Sequence, residues 1–179
     1  VRAYVEALGT NAKWGQSPYM VAEADESDGS FLLLNPWLTL VTNIEDDHLD
    51  YYGSREKIEA AFLHFIEKTA KDGAAIVCLD DPVLARLKAS FKAPRILTYG
   101  TQEGAWLQAR HIRYQGGKME ADLYCESQPR GVLVLSVPGE HNLRNALGAI
   151  VAAMNCGVSL EAAARALASF TGAKRRFEW

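Results

Sequence analysis

Tyr19-Met-Val-Ala-Glu23-Ala-Asp-Glu-Ser-Asp28 and Leu38-Thr-Leu-Val-Thr-Asn-Ile44-Glu45-Asp-Asp-His48-Leu-Asp50 decide the fold. In each, an apolar, strand-like run stops in a cluster of acids. Runs of this kind are what buried parallel strands look like, and open α/β sheets bind ligands beyond the carboxyl ends of their strands. Two neighbouring strands, Tyr19–Ala22 and Leu38–Ile44, would therefore pool their acids at one edge of a sheet. A pool of carboxylates with one imidazole repels itself unless it holds a cation, and hard oxygen ligands suit Mg²⁺ better than zinc. The alternative is a solvated acidic loop. On the metal reading, Glu23 and His48 approach each other, while Glu26, Asp46 and Asp47 stay mostly solvated.

Downstream, helical and strand-like patterns alternate. Ser54 is placed to cap a helix reaching about Lys68, with Ile58, Ala61, Phe62, Phe65 and Ile66 at helical spacing. Ala74–Leu79 reads as a third strand, and Asp80-Asp81-Pro82 as a cap with proline at the first position of a short helix to about Ser90. From about 95 to 137 the pattern changes to alternation and turns, with Gly116-Gly117 as a hairpin signal. That stretch reads as a small antiparallel element appended to the parallel sheet. Leu143, Ala146, Leu147, Ile150, Val151 and Met154 form the buried stripe of the next helix, which stops at Gly157, and Ser159 caps a last helix to about Phe170. His64 and His111, within a helix and an alternating strand, read as surface or packed residues, not ligands.

At 179 residues with 49% hydrophobic and 23% charged content, the chain suits one domain with a real core. A net charge of −3 gives no sign of a nucleic-acid or anionic-membrane partner. Its three cysteines are dispersed without a CxxC pair, which fits a reducing cytoplasm and suggests neither a disulfide framework nor a zinc site. No apolar run reaches membrane-spanning length.

A second constellation, Pro138-Gly-Glu-His141-Asn142-Leu-Arg-Asn145, sets a Pro-Gly turn before a helix whose first turns carry one histidine and two asparagines. Residues three apart share a helix face, and amides both donate and accept, as reading an adenine edge or a ribose requires. Capping of the helix start is the structural alternative. Lys174-Arg175-Arg176 is either a phosphate-binding cluster or a solvated linker.

Taken in order, Glu23–Asp28 with Ser30-Phe31, Thr42-Asn-Ile-Glu45, Asp47-His48-Leu-Asp50, Pro138–Ala146 and Gly172-Ala-Lys-Arg-Arg-Phe177 resemble the central domain of the Mur ligases over essentially the whole chain. Ser27 matches the branch that adds L-alanine to UDP-N-acetylmuramate; the branch that recycles murein tripeptide usually has an aromatic residue there. The resemblance implies an α/β fold, a P-loop NTPase-like, mostly parallel sheet flanked by helices. Residues 1–170 would be a truncated ATP-binding central domain, and 171–179 the start of a linker to a C-terminal domain. It also implies a cytoplasmic enzyme using ATP and Mg²⁺ to join UDP-N-acetylmuramate and L-alanine through an acyl phosphate. Carried over by position, Glu23 and His48 become Mg²⁺ ligands, Asn142 and Asn145, with His141 beside them, hold the nucleotide, and Arg176 contacts phosphates. No GxxxxGK[ST] loop occurs, so the chain alone is expected to be inactive. A non-catalytic module that lost this loop remains the alternative from another class.

Overall fold

The computed structural model describes residues 12–137 and 139–171, together with the backbone of 4–5 and 173–174. Its elements in order are β1 (Tyr4–Val5), β2 (Leu38–Val41), α1 (Leu49–Tyr52), α2 (Arg55–Glu67), β3 (Ala74–Cys78), α3 (Pro82–Leu87), β4 (Ile96–Gly100), β5 (Leu107–Gln115), β6 (Lys118–Cys125), β7 (Gln128–Leu135), α4 (Glu140–Asn155), α5 (Leu160–Ala168) and β8 (Ala173–Lys174). Single 3-10 turns occupy Ser30–Leu33 and Lys88–Ser90.

Six strands form one sheet in the order β2-β3-β4-β5-β6-β7. β2, β3, β4 and the start of β5 run parallel; β5, β6 and β7 run antiparallel. Antiparallel pairing thus begins at β5, and the Ile96–Gly100 run, expected in the antiparallel element, belongs to the parallel part. β1 and β8 pair separately, Tyr4 opposite Lys174 and Val5 opposite Ala173.

Local chemistry accounts for the boundaries. Ser54 and Ser159 accept from the N–H groups of Lys57 and Ala162, and Asp81 from that of Leu84. Each satisfies a donor that a helix start leaves unpaired. Gly116 and Gly117, at φ 58° and 75°, form the two-residue turn with positive φ at both positions that the twist of a hairpin favours.

Every residue of β3 is buried, as a central parallel strand covered on both faces must be. α4 packs over β3 and β4, presenting Leu143, Ala146, Leu147, Ile150 and Val151 to the core. β2 and β7 are the two edge strands, and β2 has no strand on its far side among the described residues. Tyr19–Ala22, expected to form a strand, is irregular instead, with Met20 and Val21 91% and 95% exposed. Its apolar pattern is right for a strand, but a strand exists only through ladder partners, and the described residues offer this one none. What orders its start is the stacking of Tyr19 on Trp37, ring centroids 5.6 Å apart.

Candidate functional site

The sheet delivers two clusters to the carboxyl ends of β2 and β3. The first is acidic. Asp25 accepts from the Ser27 N–H and Asp28 from the Ser30 N–H, both at 2.9 Å, so the acidic loop folds as two consecutive side-chain-to-backbone turns. The Ser27 side chain, then its N–H, holds the Asp25 carboxyl below its ordinary value, and Ser30 does the same for Asp28. The loop docks on the turn after β2, where the Tyr52 hydroxyl donates to the Glu26 carbonyl at 2.6 Å. Burial, above all, pushes that phenol upward.

His48 caps α1 at φ 58°, in the left-handed region. Its Nε2 lies 4.0 Å from Glu26 Oε1. The two acidic runs therefore meet, through Glu26 at His48. Glu26, expected to be solvated, is half-buried, and Asp46 pairs with Arg55 at 3.2 Å. Glu23 is exposed at the head of the loop. Among the described residues no three or more His, Cys, Asp or Glu side chains converge as a cage for a metal.

The second cluster surrounds a cavity of about 200 Å³ lined by Thr42, Asn43, Glu45, Asp80, Asp81, Pro82, His141, Arg144 and Asn145. His141, Arg144 and Asn145 come from one face of the first turns of α4, three and four residues apart. Asn142 is half-buried and not among the lining residues. The helix starts at Gly139, at φ 104°, with no side chain capping it.

Much of the wall is already committed. Thr42 donates to Asn43, whose amide donates to Glu45, both at 2.8 Å. Asp80 accepts from the N–H groups of Thr101 and Gln102 and from the Thr101 hydroxyl at 2.8–3.0 Å, stitching the end of β3 to the turn after β4. Gly100 permits this approach, since a Cβ there would lie 2.4 Å from Asp80 Oδ1. Asp81 is held by its cap on α3. The Arg144 guanidinium and the Asn145 amide have no hydrogen-bond or ion-pair partner among the described residues, so they are the donors free to meet a ligand. Sequence reasoning missed Asp80 and Arg144; only the Asp80-Asp81-Pro82 cap hinted that this turn sits at a strand end.

Arg176, expected to contact phosphate, lies outside the described residues. His111 is exposed, with Nδ1 2.9 Å from Asp122 Oδ2, and His64 is exposed on α2.

No helix among the described residues is long and apolar enough to cross a membrane. The family model of the Mur ligase middle domain matches residues 9–153. A UDP-N-acetylmuramate--L-alanine ligase of Desulforamulus reducens is 49% identical over 96% of this chain and 37% of its own length. The structure of a UDP-N-acetylmuramate-alanine ligase from Thermotoga maritima superposes with a TM-score of 0.81 at 27% identity, over 98% of this chain and 38% of that one. That of a UDP-N-acetylmuramate:L-alanyl-gamma-D-glutamyl-meso-diaminopimelate ligase from Neisseria meningitides gives 0.82 at 26% identity, over 96% and 56%. The chain spans about 37% of the length of the curated relatives it matches. By the extent of these matches and the mostly parallel sheet they share, the chain belongs to the Mur ligase family.

Proposed function

We propose that the complete polypeptide is an ATP-dependent ligase that joins L-alanine to the lactyl carboxylate of UDP-N-acetylmuramate. The observation that carries this reading is the meeting, at one edge of the sheet, of an acidic turn around His48 and a nucleoside-sized cavity at the start of α4. Identity of 49% to a ligase of that name supports the choice of substrates.

In this reading the cavity takes the nucleoside of ATP. Asn145 offers an amide that donates to and accepts from the base edge, and Arg144 adds donors beside it. His141 and Asn142 flank this contact. Glu23 and His48 would hold Mg²⁺. Their chemistry fits: one carboxylate and one imidazole would supply only part of a cage. Such a cage suits an ion that keeps several waters and leans on substrate phosphates. When bound, the ion supplies positive charge to the phosphoryl oxygens as they shift from ATP to the lactyl carboxylate. Arg176 would contact those phosphates with a planar fork. The amine of L-alanine then attacks the acyl phosphate, and phosphate leaves. Cytoplasmic residence goes with this reading, as do the free thiols Cys78, Cys125 and Cys156.

The test is phosphate release by the purified complete protein with ATP and UDP-N-acetylmuramate, comparing L-alanine with murein tripeptide. Release that requires L-alanine supports the proposal. Release that requires the tripeptide assigns the recycling reaction, and none with either amine refutes both.

A further inference from the structure

The turn carrying His48 is held from several sides, and one of its holders reaches it from the first residue of the next helix, α2. His48 adopts φ 58°, a left-handed conformation uncommon outside glycine. On the chain before it, Ile44 is buried, and the Thr42–Asn43–Glu45 hydrogen bonds draw the strand exit toward the nucleoside cavity. On the chain after it, Tyr52 is buried and bonded to the Glu26 carbonyl. Between these anchors, Asp46 is tied to Arg55 Nε at 3.2 Å.

Arg55 is the first residue of α2. A cation at a helix N-terminus opposes the macrodipole, and its pair with Glu59 four residues on has the weaker base-before-acid orientation, so the helix itself gains little from it. What its guanidinium does is bridge two carboxylates. Nε lies 3.2 Å from Asp46 and 3.4 Å from Glu59, and Glu59, whose side chain is 13% exposed, also accepts from Arg86 at 2.6 Å. Glu59 is thus a fixed, largely desolvated post on α2, braced from α3 by Arg86. Arg55 fastens the His48 turn to that post through Asp46. Both carboxylates lie against the one Nε, so the guanidinium acts as a shared positive charge between Asp46 and Glu59, with Asp46 on the exposed side and Glu59 on the buried side.

We propose that Arg55 is a positioning residue for the metal site: through Asp46 it holds the His48 turn in place for Mg²⁺. The proposal rests on His48 being a Mg²⁺ ligand. It predicts that Arg55 matters to metal binding although it touches neither metal nor substrate.

The experiment uses the complete protein with Mn²⁺ as the probe, titrated by electron paramagnetic resonance in the presence of ADP, on His48→Gln, Arg55→Gln, Arg55→Lys and Arg86→Gln. Arg55→Gln should weaken Mn²⁺ binding about 10-fold, the low end of what losing a ligand-orienting partner costs. Arg55→Lys should recover only part of that loss. Arg86→Gln, which loosens the Glu59 post without touching Asp46, acts one contact further from the turn and should weaken Mn²⁺ binding less than Arg55→Gln does. Amide hydrogen exchange in residues 45–52 should quicken in Arg55→Gln, and less in Arg86→Gln. If His48→Gln weakens Mn²⁺ binding and Arg55→Gln does not, the positioning role is overturned. If His48→Gln binds as the parent does, the metal reading beneath it fails instead. Should Arg55→Gln not fold, Asp46→Asn leaves α2 and Glu59 intact and carries the same expectation, with parental binding again overturning the role.

Discussion

Replacing Tyr99 with phenylalanine should make this protein more stable. Tyr99 is on β4, fully buried, and its hydroxyl has no hydrogen-bond partner among the described residues. Burial is the main reason its phenol is pushed far above the ordinary tyrosine value. The Cys78 thiol, at the paired position on β3, adds to that push but does not meet hydrogen-bond geometry. A buried hydroxyl left unpaired costs about 1–3 kcal/mol. Phenylalanine keeps the ring and removes the cost. It also forfeits a few contacts of one oxygen with Gly148, at about 0.1–0.2 kcal/mol each. The net gain is then about 1–2 kcal/mol, and at about 2–4 °C per kcal/mol for a chain of this size the midpoint should rise by about 2–8 °C. Urea unfolding of the 179-residue chain, followed by circular dichroism, should show a higher midpoint with an unchanged slope. A companion substitution sharpens the test. A Cβ at Gly148 would sit 2.9 Å from Tyr99 Cζ and 3.0 Å from its hydroxyl oxygen, so Gly148→Ala should destabilise, and less so in the Tyr99→Phe background. A midpoint lowered by the equivalent of about 1 kcal/mol, the usual net worth of a made hydrogen bond, would mean that the hydroxyl has a partner and refute the reasoning.

In the complete polypeptide, Glu23→Ala should reduce kcat by about 100-fold or more, the usual size of an electrostatic deletion at a transferring group; near-normal turnover at saturating Mg²⁺ would remove Glu23 from the metal site. Arg176→Lys should damage turnover more than Arg175→Lys because an ammonium lacks the planar fork, whereas equal and small effects would favour a linker. The Asp122 carboxyl is held below its ordinary value by His111 first and then Arg113. A lowered folded pKa contributes stability that is present above the unfolded pKa and lost as pH falls through the folded one. The difference in urea midpoint between parent and Asp122→Asn should therefore be visible near neutrality and vanish in strong acid; a difference that persists there would point to packing instead of charge.

The helices were legible because their signals are local. Ser54, Asp81 and Ser159 each accept the N–H three residues on, as their sequence positions announced, and the apolar spacing of α4 became its buried face. Gly116-Gly117 needed only its own backbone to be read. Tyr19–Ala22 was misread because a strand depends on a ladder partner that sequence pattern does not name. The cavity was half legible: His141 and Asn145 stood out by residue type, whereas Asp80 and Arg144 reach it only because the sheet sets the end of β3 beside the start of α4. Asp46 is exposed, as read, and Glu26 half-buried, against its reading as solvated; their ion-pair partners on α2 and the His48 turn are contacts that no short-range pattern encodes.

The outer edge of β2 has a colloidal consequence. A strand with one side of its backbone unladdered exposes a row of N–H and C=O groups to any other chain. Here that row belongs to four residues carrying Leu40, 38% exposed, on the same molecule as the bare Met20 and Val21. No lysine or proline stands within Leu38–Val41 to repel a newcomer, so among the described residues the shortness of the strand is what blunts it as a template. The sheet's other edge, β7, carries Pro129 and Arg130, so among the described residues β2 is the less guarded edge for a second molecule to meet.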